Sequence, residues 1–228
     1  GYPPMSAVLD QESREIVGRL LTVLREQLEK RPPAEVEEAR LRVAEFNKRD
    51  SCYPDEGPLR RELYWRHLDF FRAGREHNER LFLAANRVGK NQAAAYEVTC
   101  HMTGVYPPWW EGYRFSRATR WWLGNRTWKE CRNLNQSQLL GDAERPEEAL
   151  GTGMIPKDAI HKTVLNPHIK FGLESFQVKH ISGRISTAEF KVYEQGEDAF
   201  YGERIDGIWL DEICPLGIYT QCKIRTAN

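Results

Sequence analysis

Leu81-Phe82-Leu83-Ala84-Ala85-Asn86-Arg87-Val88-Gly89-Lys90-Asn91 is the stretch on which the reading of this chain turns. Its first four residues form a short apolar run that predicts a buried strand. The chain then turns through Asn86-Arg87-Val88-Gly89 and enters residues 92–102, rich in helix formers and ending near Gly104, which predicts a helix. Strand, tight loop and helix is the setting in which backbone N–H groups wrap a phosphate and the helix N-terminus adds its positive dipole end. Gly89 permits close backbone approach, and Lys90 is long enough to reach β- and γ-phosphate oxygens. The candidate nucleotide-binding residues are therefore Ala85, Asn86, Arg87, Val88, Gly89, Lys90, Asn91 and Gln92.

The loop departs from the usual phosphate-binding pattern twice. Ala84 stands where the first Gly is expected, and Asn91 where a Ser or Thr hydroxyl meets Mg²⁺. An Asn amide oxygen is also a hard ligand, on a longer stem, so Asn91 remains a candidate metal residue. Alone, a Gly-Lys at an ordinary strand-to-helix turn explains the loop better. A second stretch alters that balance: Ile205-Asp206-Gly207-Ile208-Trp209-Leu210 predicts a central buried strand, and it runs into two consecutive carboxylates. At the mouth of a parallel sheet, Asp211 can hold Mg²⁺ through a water and Glu212 can polarise an attacking water. Both stretches, in this order, fit a nucleoside triphosphatase using ATP and Mg²⁺.

The 228 residues suit one sizeable domain with an appendage, and 40% hydrophobic content with seven Trp fills a core. Thirty-three basic and 33 acidic side chains cancel, so nothing draws the whole chain toward nucleic acid. Arg114, Arg117, Arg120 and Arg126 are the local cluster that could meet a phosphate backbone, although such runs are usually solvated. Five cysteines without a C-x-x-C spacing argue against a disulfide framework and a zinc site, and favour a reducing cytoplasm. No run of about 18 apolar residues predicts a membrane span, and no secretory signal is visible.

Residues 7–31 and a second segment from Ala34 read as an N-terminal helical hairpin, broken at Pro32-Pro33. Residues 51–58 read as a linker, and 59–73 as a helix bearing Tyr64, Trp65, Phe70 and Phe71. Those aromatics suit core packing or stacking on an adenine. Tyr106-Pro107-Pro108-Trp109-Trp110 reads as a cap folded back on the domain. Further strands are expected at 119–123, 176–181 and 189–193, with 141–173 irregular. The fold class is thus α/β, a mainly parallel sheet flanked by helices, with a helical arm over 1–50 and an ATPase domain over 51–228.

The chain resembles the large subunits of bacteriophage terminases, specifically their N-terminal ATPase region of the P-loop ASCE type. The resemblance lies in residues 81–90, in 96–112 (Tyr-Glu-Val-Thr-Cys-His-Met-Thr-Gly-Val-Tyr-Pro-Pro-Trp-Trp-Glu-Gly), in 151–160 (Gly-Thr-Gly-Met-Ile-Pro-Lys-Asp-Ala-Ile) and in 190–202 (Phe-Lys-Val-Tyr-Glu-Gln-Gly-Glu-Asp-Ala-Phe-Tyr-Gly). It covers roughly residues 58–226. It implies an ATPase that pumps viral double-stranded DNA into a procapsid, in the host cytoplasm, with a terminase small subunit and a portal protein as partners, a ring of identical subunits and no membrane. It also implies an extra strand between those bearing the two motifs. By position, Lys90 would bind phosphate, Asp211 would position Mg²⁺, Glu212 would be the catalytic residue that activates water, and Arg87 a catalytic residue compensating γ-phosphate charge. Ile213 stands where relatives often carry another Glu. A coupling motif and a nuclease domain are expected to be missing from this sequence. The alternatives are a non-catalytic remnant that acts as a nucleotide- or partner-binding module, and a helicase-like ATPase.

Overall fold

In a computed structural model of the chain, residues 48–226 are described apart from Pro58, Asn86 and Glu203. The helical hairpin expected over 1–50 therefore lies outside the described residues but for 48–50. The chain divides into two compact units, Gly1–Phe46 with Leu83–Gly89, and Asn47–Phe82 with Lys90–Asn228. Of the first, only 83–85 and 87–89 are described.

The second unit is built on a five-stranded sheet of order β2-β3-β4-β1-β5. Its strands are β1 (Arg120–Asn125), β2 (Ile160–Leu165), β3 (Leu173–Lys179), β4 (Ile185–Val192) and β5 (Gly207–Leu210). β1 lies parallel to both β4 and β5, while β2-β3 and β3-β4 are antiparallel, so only β3 runs against the other four. The sequence accounts for this split. β1, Arg-Trp-Trp-Leu-Gly-Asn, is buried in all but its first residue, as a strand covered on both faces must be. β4 alternates, burying Ser186, Ala188, Phe190 and Val192 and turning the residues between them outward.

Helix α2 (Lys90–Thr103) packs on β3 and β4 and is buried from Ala95 to its end, with its first turn only half-buried. Its one buried carboxylate, Glu97, is neutralised by Arg80 at 3.0 Å, as burial of a charge demands. Helix α1 (Trp65–Ala73) follows a 3₁₀ turn at Arg61–Tyr64, so the segment expected as one helix begins as a tighter turn. The expected cap is present: Trp110 is buried and stacks on Phe71 at 4.8 Å, and Trp109 stacks on Tyr96 at 5.9 Å. Tyr53 meets Tyr96 edge-on at 4.9 Å. Each such pair adds about 0.5–1.5 kcal/mol beyond burial. Tyr64, Phe70 and Phe71 thus serve the core, while Trp65 is exposed. A second, smaller cluster of Trp122, Tyr193, Phe200, Ile205, Ile218 and Cys222 joins β1 and β5 to helix α6 (Leu216–Thr226). Between β1 and β2 the chain forms the short helices α3 (Trp128–Glu130), α4 (Ser137–Leu140) and α5 (Pro146–Ala149), with a π-helical Cys131–Gln136 joining the first two.

Three expectations change. Residues 81–84 form no strand. Leu81 is 79% exposed, and Phe82 alone packs inward, stacking on Phe70 at 4.9 Å. An apolar run is a strand only where a neighbour satisfies its N–H and C=O groups. The strand expected over 205–210 is shorter and lies at the sheet's edge, not its centre, with β1 as its one partner among the described residues. The segment expected as irregular over 141–173 contains β2, whose largely exposed residues hid it.

Candidate nucleotide-binding site

Arg87 and Gly89 both have positive φ, 63° and 82°. Left-handed residues are what let successive N–H groups turn into a concavity for an anion, and Arg87 holds this conformation despite its Cβ. Asn86 lies outside the described residues. The chain then enters α2 at Lys90, so Lys90 and Asn91 sit in the first turn, where the helix presents unsatisfied N–H groups and its positive end. Gln92 turns the other way, its Nε2 donating to Cys52 Sγ at 3.4 Å.

The acidic residues are placed by β1. β1 and β5 run in register from Trp121↔Gly207 to Gly124↔Leu210, and the Asp211 N–H extends the ladder by donating to Gly124 O at 2.9 Å. Two glycines make this possible. A Cβ on Gly207 would lie 2.3 Å from the Trp121 ring, and one on Gly124 would meet Leu210 Cδ2 at 2.8 Å and Tyr193 Cε1 at 3.1 Å. Over that bare position Tyr193 reaches across and donates its hydroxyl to Asp211 O at 2.7 Å.

The Asp211 carboxylate meets amides rather than a cation's fork. Asn91 Nδ2 donates to Asp211 Oδ2 at 2.9 Å, and Asn125 Nδ2 donates to the same oxygen at 3.4 Å. Burial raises the Asp211 pKa, and the adjacent Glu212 charge raises it further. The Glu212 N–H, the Asn91 amide and the Lys90 charge pull it back without reversing the shift. Glu212 itself is exposed and left-handed, φ 62°, so the chain leaves the strand direction there.

The donor set suits a hard cation. Asp211 offers carboxylate oxygens, and Asn91 retains an amide oxygen because a carboxylate accepts only and so must face the NH₂ end. Mg²⁺ takes one or two such protein oxygens and fills its octahedron with water and phosphate. Among the described residues no group of three His, Cys, Asp or Glu side chains could hold a metal by itself. His161, His168 and His180 thus form no centre of that kind.

The arginine cluster is occupied within the chain. Arg117 grips Asp206 with both terminal nitrogens, at 3.0 and 2.6 Å, and Arg114 Nη2 donates to Trp110 O at 3.0 Å. Arg126 pairs with Glu130, whose carboxylate also accepts from the Thr127 N–H. The sequence reading missed Asn125 and Tyr193. The first is the one amide of its strand and follows Trp-Trp-Leu-Gly, and the second opens the Tyr-Glu-Gln-Gly segment, so both left a trace.

Residues 81–226 match the family model described as terminase large subunit, T4likevirus-type, N-terminal. The chain is also 33% identical over 180 residues to the terminase large subunit of Salmonella phage P22, an alignment covering 72% of this chain and 36% of that protein. It thus spans about a third of the relative's length. No solved structure matches. No helix among the described residues is long and apolar enough to cross a membrane.

Proposed function

This chain belongs to the terminase large subunit family, and from that premise we propose that it is the ATP-binding and hydrolysing part of a motor that drives phage DNA into a procapsid. The observation that carries the reading is the 2.9 Å bond joining Asn91, one residue past Lys90, to Asp211, 120 positions away. It sets the first turn of α2 against the end of β5, which supports reading Lys90, Asp211 and Glu212 as members of one site. A phosphate chain at the start of α2 would meet the Lys90 charge and the helix dipole. Glu212, being exposed, would orient a water and take its proton. Asp211 and Asn91 would hold Mg²⁺, which when bound neutralises phosphate charge. Arg87 would compensate charge on the γ-phosphate. Double-stranded DNA, a small subunit, a portal protein and further copies of the chain are the partners this role requires, in the host cytoplasm at the procapsid.

Mg²⁺-dependent ATP hydrolysis, with and without duplex DNA, tests this against Glu212→Gln. Loss of a positioned general base lowers turnover about 10²–10⁴-fold. Equal turnover in both proteins would remove Glu212 from the chemistry. One observation favours a second reading, a nucleotide- or partner-binding module without turnover. Asn91 turns a donor toward Asp211, where a hydroxyl would offer the metal an oxygen. Nucleotide binding with no hydrolysis in the unaltered chain would select it.

A further inference from the structure

We infer that Asn125, oriented by Asn135, is a positioning residue whose buried amide fixes the Asp211 carboxylate and so sets how tightly the site holds magnesium-bound nucleotide. The inference rests on the nucleotide-site reading above. Asn125 closes β1 with no exposed surface, after Trp, Trp, Leu and Gly, and a buried amide is tolerated only where its hydrogen bonds are met. They are met in one way. Asn125 Oδ1 accepts from the Arg126 N–H at 2.8 Å, which leaves Nδ2 to donate to Asn135 Oδ1 at 3.0 Å and to Asp211 Oδ2 at 3.4 Å. The amide cannot be flipped without setting its oxygen against a carboxylate that only accepts.

Asn135 is equally buried and sits in the π-helical Cys131–Gln136, a geometry found most often at functional sites. Its own Nδ2 is buried with no hydrogen-bond partner, a penalty of order 1–3 kcal/mol that an apolar residue there would escape. What the asparagine supplies in exchange is Oδ1, the acceptor that orients Asn125. Asp211 Oδ2 is thereby clamped from two elements, by Asn91 on α2 and Asn125 on β1. Neither amide brings charge, so the two hold the carboxylate in direction without neutralising it.

The test is calorimetric titration of the full chain with ATP, once in excess Mg²⁺ and once in EDTA, beside thermal denaturation. Loss of an orienting partner behind a metal ligand costs about 10–100-fold in metal affinity, so Asn125→Ala should weaken Mg²⁺–ATP binding by that factor. ATP affinity in EDTA should stay within about twofold. Asn135→Leu should weaken Mg²⁺–ATP binding in the same direction with little change in melting temperature, because deleting the orphaned donor offsets the acceptor that Asn125 loses. If Asn125→Ala does not fold, Asn135→Leu decides. Affinities that fall equally with and without Mg²⁺ and track melting temperature, or stay at the parent value with Mg²⁺, overturn the positioning role. No Mg²⁺-dependent ATP binding by the unaltered chain is a separate outcome, which overturns the site reading and this inference with it.

Discussion

Asp206 and Asp211 bracket the same four-residue strand, and their surroundings differ in kind. At Asp206 burial opposes the charge, yet the two Arg117 nitrogens and the Arg120 N–H at 2.9 Å more than offset it, holding the carboxyl below its usual range. At Asp211 burial and the Glu212 charge prevail over the Glu212 N–H, the Asn91 amide and the Lys90 charge, and the carboxyl is held above its usual range. The first aspartate is a finished ion pair that pins the start of β5 to the start of β1. The second is a carboxylate held by the Asn91 amide, with no arginine fork on it among the described residues. One strand thus carries two half-buried acids that differ in what neutralises them rather than in burial, and the proposed function assigns work to the second alone.

The sharpest way to break that contrast is substitution at its working end. Asp211→Asn should lower Mg²⁺-dependent ATP turnover about 10³-fold, the scale of losing one preorganised electrostatic partner, with no loss of melting temperature. A comparable fall in melting temperature would make Asp211 structural after all. At the other end, Asp206→Asn should cost about 1–2 kcal/mol of stability, less than a fully buried pair because Arg117 is half in solvent. For a chain of this size that is a melting shift of about 2–8 °C, read by calorimetry, with turnover per folded molecule unchanged.

Two further measurements sharpen the contrast. Asn91→Thr restores a hydroxyl beside Asp211 and should raise Mg²⁺-dependent turnover about tenfold, or about 1.4 kcal/mol in barrier. A fall would mean that the Asn91 amide is needed to hold the carboxylate. The smallest effect is in pH. Asp206, with its pKa depressed in the fold, contributes stability that is complete above the unfolded value near 3.8 and is lost only as pH falls through the lower folded pKa. Asp211, with its pKa raised, is favoured protonated, so that contribution is lost as pH rises from about 3.8 through its folded pKa. The melting difference between Asp211→Asn and the parent should therefore widen in favour of the variant between pH 4 and neutrality. The difference for Asp206→Asn should stay flat over the same span. Parallel traces would remove the distinction.

Much of this was readable from residues alone. Lys90 and the 211–212 carboxylates were singled out on chemistry and spacing, and β1, β3 and β4 were legible because buried strands carry runs or alternation. β2 was not, since a largely exposed edge strand has neither. Residues 81–84 were misread because apolar pattern reports the wish for burial and not the presence of a hydrogen-bonding neighbour. Asn125 escaped for another reason. An asparagine closing a strand is unremarkable until the register brings Leu210 opposite Gly124 and delivers Asp211 to its amide.

The close fit of Trp121 over Gly207 binds those two positions in descent. A lineage cannot gain a side chain at 207 while the indole at 121 fills that space, and losing the indole first would open a void beside β5. Diverging relatives should therefore keep the couple or exchange both members together, and intermediates carrying only one change should be short-lived.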